Sequence, residues 1–235
     1  VDAADTITYE IVIENSGQET AYVENLQDII PSKTTHGSTN SIISSMSGSM
    51  AYTETESPSG QINWSFRPHP DPPQRTMIYA GEIITITYSI TVDSDVEAES
   101  ILTNTASLNY YDTEDETMIY DQLETTAEVP VKVPNVEKEV IFTSESFTGS
   151  GAYNGNRADI TIGEWLTYQV TITVPEGQTS TGTVRDRLPA FLELTDARFV
   201  SADPALTLEN NPPIITITDE VGGQSSDRDD QVIYD

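Results

Sequence analysis

Thr6-Ile7-Thr8-Tyr9-Glu10-Ile11-Val12-Ile13 decides the fold: Ile7, Tyr9, Ile11 and Ile13 fall on one side of an extended chain, and mostly Thr and Glu fall on the other. Successive side chains of a strand point to opposite faces, so this period of two marks a half-buried antiparallel strand. The same pattern returns between Gly81 and Val92, with Ile84, Ile86, Tyr88, Ile90 and Val92 aligned. It returns again between Gly163 and Val174, with Leu166, Tyr168, Val170, Ile172 and Val174 aligned. Further strands are expected at 61–66, 102–111, 125–133, 136–142, 197–201, 214–218 and 231–234, separated by Gly, Pro, Asn, Asp and Ser. No segment carries a helical period, and the richness in Thr, Val, Ile and Tyr favours sheets. The fold class expected is all-β: tandem Ig-like antiparallel β-sandwiches, the second of them cut short.

An internal repeat organises the chain. Aligning Tyr9 with Tyr168 superposes Ile7 on Leu166, Ile11 on Val170 and Ile13 on Ile172. Asp28-Ile29-Ile30-Pro31 then answers Asp186-Arg187-Leu188-Pro189, and the strand around Ile62 to Phe66 answers Val232 to Asp235. The expected division is one repeat over residues 1–133 and a second over 134–235. The second has an extra leading segment, Pro134 to Ile160, for which the first has no room. The first has strands after Gly81 that the second would reach only beyond Asp235. The chain is therefore expected to be a piece of a longer array, with a stiff Pro130-Val131-Lys132-Val133-Pro134 linker.

The 235 residues carry 39 Asp and Glu against 10 Lys and Arg, a formal net charge of −29. Such a surface disfavours nucleic acid and anionic membranes as partners. Solubility in a salty medium is one reading of the charge. Cation binding, chiefly Ca²⁺ held by six to eight oxygens, is the other. Acidic clusters lie at Asp93, Asp95, Glu97 and Glu99, at Asp112, Glu114, Asp115 and Glu116, and at Asp227, Asp229 and Asp230, none with EF-hand spacing. There is no cysteine, hence no disulfide and no thiolate metal site. No apolar run is long enough to span a membrane, and no basic-then-apolar leader opens the chain, whose first residue is Val1.

The run from Gly163 to Gly177, Gly163-Glu164-Trp165-Leu166-Thr167-Tyr168 onward, followed by Asp186-Arg187-Leu188-Pro189, resembles the DUF11 repeat of prokaryotic surface proteins and its relative, the isopeptide-forming fimbrial D2 domain. Thr8 to Gly17, Asp28 to Pro31, and Leu102-Thr103-Asn104-Thr105-Ala106 match the same pattern in the first repeat. The resemblance implies Ig-like sandwiches strung into extracellular stalks, adhesins or fimbria-like fibres, with neighbouring repeats and other copies as partners. It also implies a Lys–Asn amide bond assisted by a buried acid. Carried over, Lys138 matches the lysine, Asp28 and Asp186 the acid, and Asn104 the asparagine. The first repeat's lysine would precede Val1 and the second's asparagine would follow Asp235. The alternative reading makes Asp28 and Asp186 turn residues, Asn104 a backbone-satisfying residue and Lys138 a solvated one.

No serine-hydrolase elbow, phosphate loop or zinc-protease helix is present, and both histidines, His36 and His69, sit in polar segments that suggest solvated loops. An enzyme is not expected. Trp64, Phe66, Tyr110, Tyr111 and Tyr120 suit either a sandwich core or a carbohydrate-stacking platform. A rigid spacer is the favoured function, with a ligand-binding adhesin domain or a strand-adding filament subunit as rivals.

Overall fold

A computed structural model describes residues 1–68, 75–111, 122–146, 148, 160–178, 184–189, 191–202, 215–218 and 231–234. All regular structure among them is β-strand, in antiparallel sheets. The chain divides into two compact units, Val1–Gln178 and Thr179–Asp235.

The first unit contains a sandwich. One sheet runs in the order β1 (Thr6–Glu14), β8 (Ile83–Val92), β3 (Thr34–Ser44), β4 (Gly48–Ser49). The other runs β10 (Leu123–Pro130), β9 (Ile101–Tyr111), β2 (Ala21–Ile29), β6 (Gln61–Phe66), β5 (Tyr52–Glu56), with β7 (Thr76–Ile78) also on β2. Two alternating sequences fix the register of β1 on β8, because Ile7 faces Ile90, Tyr9 faces Tyr88, Ile11 faces Ile86 and Ile13 faces Ile84. A slip of one residue would turn every one of these apolar pairs to solvent. The second sheet contributes Val23, Leu26, Ile62, Trp64, Phe66, Leu102 and Ala106 to the same core.

β2 and β3 are strands for which the sequence shows no strict alternation. Their alternation is broken by bulges, between Val23 and Asn25 on β2 and at two places on β3, between His36 and Ser38 and between Thr39 and Ser41. An extra residue at each bulge shifts the side-chain phase by one, so a strict period of two misses them. Conversely, residues 197–201, expected as a strand, form none, and Val200 is 78 % exposed.

β11 (Asn135–Thr143) and β12 (Leu166–Thr173) pair as a two-stranded sheet. β12 leads into Pro175–Gln178, which docks on the sandwich: Gln178 N–H donates to Val96 O at 2.8 Å, Ala98 N–H donates to Gln178 O at 3.0 Å, and Ala3 N–H donates to Glu176 O at 3.3 Å. Gly177, at φ 116°, permits that approach, since a Cβ there would lie 2.7 Å from Val96 O. The expected linker is itself pinned: Val131 is buried, its N–H donates to Ser100 O, and Lys132 N–H donates to Val1 O at 2.7 Å.

In the second unit β13 (Val184–Arg187), β15 (Gln231–Tyr234) and β14 (Ile215–Thr218) lie in the order β13-β15-β14. This repeats β2-β6-β5 of the sandwich. Asp28 faces Ile62 in one and Asp186 faces Val232 in the other, the correspondence the aligned sequence implies.

One local device starts all three alternating strands. Asp2 to Asp5, Tyr79 to Glu82 and Thr161 to Glu164 are turns whose third residue has positive φ: Ala4 63°, Gly81 72°, Gly163 84°. In each, the carboxylate at the fourth position accepts the first residue's N–H, at 3.0, 2.8 and 2.8 Å. Each fourth N–H returns a bond to the first carbonyl.

Candidate functional site

The register of the second sheet places Asp28 opposite Ala106, so Asn104, two residues along β9 on the same face, is its diagonal neighbour. Both side chains point into the core: Asp28 is fully buried and Asn104 is 4 % exposed. Asn104 Nδ2 donates to Asp28 Oδ2 at 2.8 Å. Tyr88, reaching across from β8, donates its hydroxyl to Asp28 Oδ1 at 2.7 Å and accepts from Asn104 Nδ2 at 2.9 Å. Acid, amide and phenol form a closed triangle between the two sheets.

The turn reading of Asp28 is excluded, because the residue lies within β2 with its carboxyl in the core. Asn104 serves side chains and not backbone groups. Burial pushes the Asp28 carboxyl up to about 6, against the hydrogen bonds from Tyr88 and Asn104 and the nearby His36, which favour the ionised form. The amide nitrogen faces the carboxylate, which leaves Asn104 Oδ1 buried without a hydrogen-bond partner.

Aromatic groups wall the triangle. Tyr88 stacks on Tyr9 at 5.6 Å and meets Trp64 at 5.4 Å and His36 edge-on at 5.9 Å. Tyr9 Oη and His36 Nε2 are likewise buried and unpartnered, so three orphaned polar atoms belong to residues of one cluster. An unmet buried polar atom costs about 1–3 kcal/mol, which makes such a cluster a place that favours a further polar group. His36, expected in a solvated loop, lies on β3 with its side chain 4 % exposed and 3.5 Å from Glu54. Trp64, Phe66 and Tyr111 are buried, which settles them as core and not as a carbohydrate platform; Tyr110 packs against the core. Tyr120 and His69 lie outside the described residues.

Lys138 is on β11 of the first unit, its Nζ 4.1 Å from the centre of the Tyr168 ring, a cation–π contact. Glu137 and Glu139 flank it in a shallow surface depression. Asp186 is half-buried on β13 of the second unit. Of the expected amide-forming residues, the structure therefore joins Asp28 and Asn104.

Among the acidic clusters, Asp95 pairs with Lys33 and Asp93 accepts from Thr35 Oγ1 at 2.7 Å. No group of three metal-ligating side chains converges among the described residues. Asp112, Asp115, Asp227, Asp229 and Asp230 lie outside the described residues.

A second buried acid escaped sequence reading. Glu82 is fully buried, and its oxygens take both arms of Arg67 at 2.6 and 2.8 Å, the Tyr79 N–H and the Ser44 hydroxyl. Burial alone would raise its carboxyl; Arg67 and the other donors hold it below the usual range.

No family model matches the sequence, and no curated protein matches it. Among solved structures, the chain is similar to the C-terminal fragment of the major pilin GBS80 of Streptococcus agalactiae, at 12% identity and a TM-score of 0.39 over 59% of this chain and 52% of that one. It is also similar to domains D2 and D3 of the major pilin SpaD of Corynebacterium diphtheriae, at 12% identity and TM-score 0.41, covering 59% and 51%. The group B streptococcus pilus 2b backbone protein matches at 17% identity and TM-score 0.40, covering 75% and 77%. The chain thus spans about half the length of the first two.

Proposed function

We propose that the chain is a structural module of an extracellular fibre or stalk, one repeat over residues 1–133 and another over 134–235, and that Asp28 and Asn104 form the acceptor half of a Lys–Asn cross-link. The observation that carries this reading is the buried Asp28–Tyr88–Asn104 triangle with its unpartnered amide oxygen. A spacer needs no buried acid beside an amide; a covalently tied one does.

A lysine amine laid against Asn104 would be deprotonated by burial and attack the side-chain carbonyl carbon. The Cγ–Nδ2 bond breaks as the Cγ–Nζ amide forms. Asp28, close to the amide nitrogen, carries a proton to the leaving group, and ammonia departs. With its carboxyl near 6, Asp28 can take and return that proton around neutral pH.

The test is the mass of the protein taken from its native surface. Each bond should lower it by about 17 Da, the ammonia lost in this nucleophilic chemistry. A mass equal to that of the unmodified sequence overturns the cross-link.

A further inference from the structure

We propose that one end of the sandwich, built from residues 1–3 and the 96–100 loop between β8 and β9, is a seat for the Glu176-Gly177-Gln178 segment of the following repeat, and that this seat makes the joint between repeats rigid. What the joint connects rests on reading 134–235 as a second repeat. The contacts themselves stand apart from that reading and from any cross-link at Asn104.

The chain leaves the sandwich at Lys132 and, after β11 and β12, returns to it at Glu176. The same two elements hold both crossings. In residues 1–3, Val1 O accepts from Lys132 N–H at 2.7 Å, and Ala3 N–H donates to Glu176 O at 3.3 Å. In the loop, Ser100 O accepts from Val131 N–H at 2.9 Å, and Glu99 N–H donates to Lys132 O at 3.3 Å. Val96 O accepts from Gln178 N–H at 2.8 Å, and Ala98 N–H donates to Gln178 O at 3.0 Å, so Glu97 and Gln178 form a parallel bridge. A connection pinned once still turns about the backbone torsions beyond its last bond. Here β11 and β12 are also paired to each other, Asn135 with Thr173, and the two pins and that pair close a frame that cannot turn.

Local conformation supports this role. Val96 is fully buried, so the carbonyl that receives Gln178 is anchored in the core. Glu99 has φ 67°, a left-handed conformation uncommon for a residue with a Cβ, and its N–H is bonded to Lys132 O. In the seated segment, Gly177 has φ 116°, and an added Cβ would lie 2.7 Å from Val96 O and 3.0 Å from Val96 Cγ1. Charge completes the seat. Lys132 Nζ donates to Asp2 Oδ2 at 2.8 Å; that bond, with Asp5 and Glu176 as further nearby charges, holds the ammonium above its ordinary range. One cation thus offsets acids on both sides of the joint.

The chain has no cysteine, so a pair of spin labels can be placed freely. Glu10→Cys on β1 and Glu139→Cys on β11, both exposed positions, put one label on the sandwich and one beyond the joint. Double electron–electron resonance on this chain should give a single narrow distance peak. Gly177→Ala should lose that peak to a broad distribution, with the amide protection of β8 unchanged. Lys132→Ala keeps the backbone bonds of the seat available. It should broaden the peak at low salt and recover it in about 0.5 M NaCl, where the screening length is only about 4 Å. A broad distribution before either substitution, or a peak that stays equally narrow in both variants at low salt, overturns the proposal and leaves the native-mass test of the cross-link standing.

Discussion

Asp28 makes the stability of the sandwich depend on pH in an unusual direction for an acid. Its folded carboxyl is raised to about 6 from 3.8, so between those values the folded state binds the extra proton. Stability from this group is full below pH 4 and is lost as pH rises through about 6, by roughly 3 kcal/mol in all. Denaturant melts at pH 4 and 7 should show the difference between the native chain and Asp28→Asn changing by an amount of this order. A difference flat with pH would place the carboxyl elsewhere. Glu82 has the opposite sign, since its depressed carboxyl stabilises above the unfolded range and less as pH falls. Arg67→Ala strands Glu82 as a buried charge and should cost about 3–5 kcal/mol in the same melts. Ala4 occupies a left-handed position that glycine fills in the two sister turns, so Ala4→Gly should be neutral to stabilising, by up to about 1 kcal/mol.

At the scale of elements, β1, β8 and β6 are readable because their alternation is unbroken, and β9 because it alternates from Ile101 to Ala106 before its phase slips at Ser107. β2 and β3 are not, since bulges make the burial pattern slip; β3 reads as Thr, Ser and Asn around a few buried positions. The acid and the amide of the site were legible from the Asp-x-x-Pro and Leu-Thr-Asn-Thr-Ala runs. Tyr88 was read as core alone, although an inward tyrosine must satisfy its hydroxyl, and that requirement could have tied it to Asp28. Glu82 gave no sequence signal beyond its place after Gly81. The 175–178 segment rests on one glycine: Gly177→Ala should break the bonds from Gln178 N–H to Val96 O and from Ala98 N–H to Gln178 O, seen as faster amide exchange at Gln178 and Ala98 while β8 stays protected.

For the molecule as a whole, charge and the proposed cross-link pull in different directions. A net −29 repels other copies and strains the folded chain against itself, so the melting temperature should rise between about 0.01 and 0.5 M NaCl as the screening length shrinks several-fold. A melting temperature flat with salt would show the acids to be locally neutralised. Against that repulsion, the proposed tie between two sheets would hold the module together where surface ion pairs such as Lys33–Asp95 contribute little. The account therefore stands most directly on Asn104. Protease digestion of the protein from its native surface, followed by peptide mass spectrometry, should yield a branched species joining the Asn104 peptide to a lysine peptide, lighter by one ammonia. Recovery of the Asn104 peptide linear and with its amide intact would contradict it.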